Sequence, residues 1–198
     1  MRAAYGIAVL LATGLCLTAA PAHADGFVSP TIGVDFAGAA GSTLTGATSN
    51  SNKINFGVAA GWMGAGVAGI EEDFSYAPNF YGSGGTLDTT HVATLMTNFI
   101  LGAPIGGQHG GGIRPYGSIG VGWIGQGVST ANGIGNFTSN NFGFDLGVGL
   151  MGYFADHIGL RGDVRYFRNF TSNSSNTVGL SVGTFDFFRA SIGVLFRF

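Results

Sequence analysis

The last stretch of the chain, residues 184–198, reads T-F-D-F-F-R-A-S-I-G-V-L-F-R-F and alternates in character. Counting back in twos, Phe198, Phe196, Val194, Ile192, Ala190 and Phe188 fall on one face, and Arg197, Leu195, Gly193, Ser191 and Arg189 on the other. Period two is the mark of a β-strand, whose side chains point to opposite faces in turn. An aromatic and aliphatic face backed by one carrying arginines needs apolar solvent on one side and a polar interior on the other, and a strand of a transmembrane barrel supplies both. Such a strand crosses a bilayer in about 9–11 residues at a tilt of about 45°. This stretch is long enough.

Composition narrows the alternatives. Charged residues are 9% of the chain, where a typical soluble domain has about 25%, so they could hardly cover a surface facing water. No run of roughly 20 apolar residues follows the N-terminal segment, which excludes spanning helices and leaves a closed barrel as the way to satisfy every backbone N–H and C=O in lipid. The net charge of −2 comes with no basic stripe, so nucleic acid is not an expected partner.

The chain begins Met1-Arg2, continues through an apolar stretch from Ile7 to Leu17, and reaches Ala22-His23-Ala24 just before Asp25. A basic start, a short apolar core and an A-x-A site predict a secretory signal peptide over residues 1–24, cleaved between Ala24 and Asp25, with one barrel domain over 25–198. Lipid attachment at Cys16 is disfavoured, because Thr13-Gly14-Leu15 puts no small residue next to the cysteine. Cleavage removes the chain's single cysteine, and with it any disulfide or thiolate chemistry.

The same alternation recurs along the chain. Val28, Pro30, Ile32, Val34 and Phe36 oppose Ser29, Thr31, Gly33 and Asp35; Ile54, Phe56, Val58, Ala60 and Trp62 oppose Asn55, Gly57, Ala59 and Gly61. A third strand sends Ile70, Phe74 and Tyr76 outward and Glu71, Asp73 and Ser75 inward. This leaves Glu72 on the lipid face, and so requires it to sit near an interface or beside a register-shifting bulge. Residues 90–101 alternate weakly, and Asn98 is placed inward with Leu95, Phe99 and Leu101 outward. Three further strands carry Arg114 and Tyr116, then Asp145, then Arg161, Asp163 and Arg165 on their inner faces. The tally is eight strands joined alternately by polar loops (40–52, 77–88, 125–140 and 169–183) and mostly shorter turns, predicting an all-β, closed, antiparallel up-and-down barrel. Both termini are then expected in the periplasm. Outward aromatics collect in two girdles, with Trp62, Phe154, Phe196 and Phe198 at one level and Phe36, Tyr76, Trp123 and Tyr166 at the other.

With these segments in view, the chain resembles the eight-stranded outer-membrane β-barrel family that includes OmpA, OmpX and the opacity-type surface proteins. The likeness rests on G-V-L-F-R-F at 193–198, R-P-Y-G-S-I-G-V-G at 114–122 and G-L-R-G-D-V-R-Y-F at 159–167. It covers the whole mature chain and specifies architecture more than activity. The resemblance implies an outer-membrane location and recognition of the terminal aromatics, Phe196 and Phe198, by the barrel-assembly machinery. No peptidoglycan-binding domain like that of full OmpA is expected after the barrel, so the resemblance does not carry over the anchoring such a domain provides.

The inward charges are Asp35, Glu71, Asp73, Asp145 and Asp163 against Arg114, Arg161, Arg165, Arg189 and Arg197. Buried ions are costly unless paired, so equal numbers of each sign read as a paired network filling the lumen, ahead of a conduit or gate. Other motifs have simpler explanations. Glu71 and Asp73 lie about 7 Å apart along one face, near the carboxylate spacing of inverting glycosidases, but any two successive inward residues share that spacing. The G-x-G-x-x-G at 120–125 has no following helix to receive a phosphate. Arg161-Gly162-Asp163 spells an adhesion tripeptide whose charges both point inward. His91, His109 and His157 are too scattered for a metal site, and none is followed two residues on by the serine of the lipid A deacylases they would have to resemble. Gly61-Trp62 matches the lipocalin G-x-W loosely, but a lipocalin would need the inverse distribution of charge.

The expectation is a monomeric outer-membrane barrel of structural or surface-interaction type, without enzymatic activity or cofactor, meeting membrane lipid on its wall and an external ligand or host surface through its loops. The alternative is a small porin-like channel, with a lipid A-modifying enzyme further behind.

Overall fold

In a computed structural model of the chain, the described residues are 24–40, 52–80, 87–106, 111–130, 137–170 and 185–198. The expected signal peptide, apart from Ala24, and most of the four expected loops lie outside them. The strands are β1 (Ala24–Ala40), β2 (Lys53–Gly64), β3 (Ala68–Pro78), β4 (Leu87–Gly102), β5 (Ile105–Gly106), β6 (Gly112–Thr130), β7 (Phe137–Tyr153), β8 (Ile158–Asn169) and β9 (Phe185–Arg197). Each long strand pairs antiparallel with its chain neighbour, and β1 pairs with β9 while β4 pairs with β6. Eight strands therefore close into a ring, which leaves no unpaired edge for lipid to meet.

The ninth strand was not expected. The short β5 lies in the glycine-rich turn after β4 and runs along the end of β6, pairing Ile105 with Ile113 and Gly106 with Gly112. A second tight turn joins β2 to β3. There Ala65 and Gly66 take left-handed backbone, and the Val67 N–H donates to the Gly64 carbonyl at 3.0 Å. The third is the tight turn after Tyr153, where the Phe154 N–H donates to the Ile158 carbonyl at 3.1 Å.

Strand lengths differ by end. At 16 to 19 residues, β1, β4, β6 and β7 exceed what a bilayer requires. The surplus lies at the loop end, where Val128 still pairs with Phe137 and Leu87 with Thr130. Parts of the segments expected as loops are thus strand, because pairing across the ring continues past the last apolar residue of the wall.

Alternation places the side chains as expected, including those of the weakly patterned β4. Asn98 is buried, while Phe99 and Leu101 are exposed on the wall. The interior, however, is not uniformly polar. At the turn end Phe27, Met63, Ile100, Tyr116, Met151, Tyr153 and Leu195 form one buried apolar cluster. At the loop end Ala77, Phe80, Val92, Met96, Ile124, Phe167 and Phe187 form another. Phe167 and Phe187 stack with centroids 4.8 Å apart and planes 6° from parallel. The ion-paired residues occupy the space between two apolar caps.

Glu72 points outward as the count requires, and no bulge is present: β3 keeps an unbroken register with β2 and with β4 on either side of it. Its carboxylate accepts a hydrogen bond from the Thr97 hydroxyl of β4 at 2.8 Å.

Candidate functional site

The feature to be explained is the charged layer within the lumen. Its centre is Glu71 on β3, fully buried, which receives guanidinium groups from two β8 residues, Arg161 and Arg165, the latter at 2.5 Å. Strand β8 can supply both because alternation directs residues 161, 163 and 165 to the same face. Asp163 lies between them, accepting from Arg161 Nε at 2.9 Å and Arg165 Nε at 3.2 Å. Arg165 also reaches Asp145 of β7 at 3.3 Å. With its amide nitrogen towards Asp145, Asn98 donates to that carboxylate at 2.6 Å and accepts from Arg165 at 2.8 Å. The Tyr116 hydroxyl donates to Asp163 at 2.9 Å, as does Ser191 at 3.0 Å.

A second, smaller group joins the two strands that close the ring. Arg189 of β9 bonds Asp35 of β1 at 2.6 Å and 3.1 Å in a two-pronged contact. Asn55 donates to the same Asp35 at 2.8 Å. Arg189 also donates to the hydroxyls of Ser75 and Thr94, on the opposite side of the lumen. Its guanidinium lies 4.7 Å from the Phe167 ring centroid, so it packs against the underside of the loop-end cap.

Among the described residues, the ion pairs gather seven of the ten inward charges into two groups rather than the one network expected. Asp35, Glu71, Asp145 and Asp163 are ion-paired with Arg161, Arg165 and Arg189. Asp73 forms no ion pair or hydrogen bond among the described residues, although it is 8% exposed and faces the same layer. Arg114 and Arg197 flank the ring of Tyr153 at the turn end, 5.2 Å and 4.6 Å from its centroid. Arg114 donates to the Tyr153 hydroxyl at 3.2 Å, and Arg197 to the backbone carbonyl of Asp156 at 2.8 Å. Each guanidinium is attracted to the quadrupole of that ring. Equal counts of each sign suggested pairing for all ten, but the sequence does not reveal how high each residue sits in the barrel.

The remaining motifs fall where alternation sent them. Arg161 and Asp163 of the R-G-D tripeptide bond each other inside the barrel. Gly120, first of the G-x-G-x-x-G, makes room for the network: a Cβ there would lie 1.8 Å from the Asn98 side-chain amide and 2.4 Å from Asp145 Oδ1. His157 lies in the turn after β7, its Nδ1 3.1 Å from the Arg197 carbonyl. Among the described residues no group of three or more His, Cys, Asp or Glu side chains is arranged to hold a metal. Phe196 and Phe198 point outward at the turn end, and Phe198 exchanges backbone hydrogen bonds with Gly26 at 3.0 Å and 3.1 Å.

Sequence reasoning missed the caps. A signal was present in β4, where Met96 and Ile100 are apolar on the face that Asn98 marks as inward, and in the adjacent pair Phe187-Phe188, one of which must enter the lumen.

Known structures share this architecture at low sequence identity. The chain is similar to Neisserial surface protein A, with a TM-score of 0.62 and 12% identity over 88% of this chain and 99% of that one. It is similar to OprG of Pseudomonas aeruginosa, with a TM-score of 0.58 and 17% identity over 88% and 95%. Ail of Yersinia pestis, in a complex with the heparin analogue sucrose octasulfate, gives a TM-score of 0.51 and 13% identity over 87% and 99%. None of the curated proteins matches the chain in sequence. The model of the outer membrane protein beta-barrel domain matches residues 7–198, and with a closed eight-stranded ring whose wall is apolar and whose charges are internal, the chain belongs to that family.

Proposed function

We propose that this protein is a closed, non-conducting barrel of the outer membrane that serves as a stable scaffold for its external loops. The observation that carries this reading is the layered lumen, in which ion pairs at 2.5–3.3 Å lie between two apolar caps. An ion crossing it would have to enter an apolar cap, separate buried pairs, and leave through a second cap. Separating one buried pair can cost about 3–5 kcal/mol. An eight-stranded barrel is just wide enough for side chains to fill.

In this reading residues 1–24 are a secretory signal, cleavage leaves Asp25 as the first residue, and residues 25–198 insert with both termini in the periplasm. The loop end then faces outward, and its partner is an external ligand or host surface. Phe196 and Phe198 present the terminal aromatics to the assembly machinery. The charged residues are structural, and neither catalysis nor a cofactor is assigned to them.

A small channel is the second reading. It is favoured by buried groups without hydrogen-bond partners, Arg161 Nη2, Ser29 Oγ and Ser118 Oγ, which suit a short file of water. Planar-bilayer recording decides between the two. The scaffold reading expects negligible steady current with rare small openings. Stable, ion-selective current that changes in Glu71→Gln would replace it with the channel. N-terminal mass spectrometry tests the processing site, and resistance to sodium carbonate extraction tests membrane insertion.

A further inference from the structure

We propose that a recess in the lipid-facing wall, where β8, β9 and β1 meet, binds a single-chain glycerolipid. The recess takes the acyl chain, and the lipid's free glycerol hydroxyl donates to the backbone carbonyl of Val194. The inference rests on the membrane-spanning reading above.

The seam between β1 and β9 lacks one rung. Gly26 and Phe198 donate to each other's backbone carbonyls at 3.1 Å and 3.0 Å, and in an antiparallel pair such mutual exchanges recur at every second residue. In the same register Val28 faces Phe196, and Pro30 faces Val194. Pairing holds at Val28–Phe196 and at Thr31–Gly193 but skips Ser29 and Pro30 between them. A proline has no N–H to give, so the carbonyl of Val194 loses its ladder donor. The hydroxyl of Ser29, next to Pro30 on the inner face, makes no hydrogen bond among the described residues and does not fill the gap. In lipid a backbone carbonyl left without a donor is costly.

The wall is hollow at the same place. Gly162 of β8 takes an outward position, and a Cβ there would come no closer than 3.8 Å to the neighbouring strands. Around it Ile32, Leu150, Leu160, Ile192 and Val194 are exposed. With Pro30 they line a recess of about 630 Å³, within the size range of small-molecule sites. It runs across β7, β8, β9 and β1, roughly 14 Å at about 4.8 Å between strands, and so has the elongated form of one extended chain.

The surroundings and the missing donor together identify the occupant. The recess is continuous with the apolar wall that meets lipid, so what enters it is an acyl chain. Val194 is the next outward residue above Phe196 on β9, about 7 Å along the strand and about 5 Å higher at a tilt of about 45°. Outward aromatics such as Phe196 and Phe198 stand at the headgroup level. The carbonyl of Val194 therefore lies just inside that level, at the depth of a lipid's glycerol, and the donor available there is a glycerol hydroxyl. A diacyl phospholipid has esterified both oxygens next to its headgroup. A lysophospholipid keeps one of them as a hydroxyl and carries one chain, which matches one acceptor beside one elongated recess.

The test is native mass spectrometry of the folded barrel in an amine oxide detergent, which has no hydroxyl. The probes are palmitoyl lysophosphatidylcholine and its analogue with the glycerol hydroxyl methylated. Unheated gels confirm that each variant is folded. Wild type is expected to retain the lysolipid about fivefold better than the methyl ether, the preference that one hydrogen bond of ordinary net strength supplies. The carbonyl carbon resonance of Val194 is expected to move with the lysolipid and not with the ether. Gly162→Leu fills the recess without touching the carbonyl and is expected to lower retention of both probes at least tenfold. Pro30→Ala returns an N–H to Val194 and is expected to bring the two probes to equal retention. Equal retention by wild type leaves the carbonyl to a water from the lumen and overturns the proposal, as does a preference that survives Pro30→Ala. So does a wild-type barrel that retains neither probe, or a Gly162→Leu barrel that retains them as well as wild type. In all these cases flotation of the chain with phosphatidylcholine vesicles leaves the membrane reading intact. A chain that does not float with the vesicles overturns both.

Discussion

Arg165 and Glu71 meet at 2.5 Å although their strands, β8 and β3, lie on opposite sides of the ring, separated by three strands in one direction and three in the other. The pair works as a strut across the lumen, and both side chains are almost completely buried. Replacing Arg165 with methionine leaves Glu71, Asp145 and Asp163 facing a lost cation. The expected cost is about 3–5 kcal/mol in urea unfolding of the lipid-reconstituted barrel. Arg168→Gln changes an exposed residue on the outer face and should cost no more than about 1 kcal/mol. Equal effects from the two would mean that the strut contributes nothing to stability.

The loop-end cap should matter to stability and not to conductance when it is cut singly. Phe167→Ala removes one of two stacked rings and a surface on which Arg189 rests. A loss of about 3–5 kcal/mol is expected for a large core truncation of this kind. Bilayer recordings on the same variant should stay silent, because the ion pairs and the turn-end cap remain. Steady current from Phe167→Ala would identify the loop-end cap as the sole barrier.

Gly120→Ala tests how tightly the network is packed. The added methyl would lie within 2.4 Å of polar side-chain atoms of both Asn98 and Asp145. Overpacking of this sort costs about 1–3 kcal/mol. Gly117→Ala, on the outward face of the same strand, meets its nearest neighbour at 3.8 Å and serves as the control. Denaturation midpoints that agree for the two variants would show that the lumen yields easily.

Removal of Phe198, or its replacement by aspartate, should lower the amount of folded protein in the membrane. The ring is 76% exposed at the turn end, so its loss opens no cavity in the lumen and its expected effect is on assembly. Unchanged levels of the heat-modifiable form on an unheated gel would separate this protein from the terminal-aromatic rule of its family.

Alternation made the direction of each side chain legible. Because a pleat has period two, the inward positions of Glu71, Arg161, Arg165 and Arg189 could be read residue by residue. Which of them touch could not. Contacts across a lumen depend on the stagger between strands, which sets the height of each residue and leaves no local trace in sequence. Hence nothing in the sequence shows that Arg114 and Arg197 meet at the ring of Tyr153 at one end. Asp73 was counted as paired, although its neighbour Glu71 takes the arginines. Met63, Met151 and Leu195 were unremarkable as sequence. They become a cap only when the ring brings β2, β7 and β9 to one level.

The hydrogen bonds of β1 to β9 have a consequence in time. Phe27 pairs with Arg197, and Asp35 meets Arg189 across 154 positions of sequence, so β9 supplies the partner for β1. Until β9 joins the sheet, β1 and β8 both present open edges, and no amount of local hairpin formation can cover them. Contacts so distant in sequence slow folding, because a long loop must close before they form. The ring therefore cannot mature strand by strand from its N-terminus into a sealed wall. It stays an incomplete sheet until β9 joins, and the Asp35–Arg189 contact, which needs both strands in place, is among the last to form and holds that seam closed.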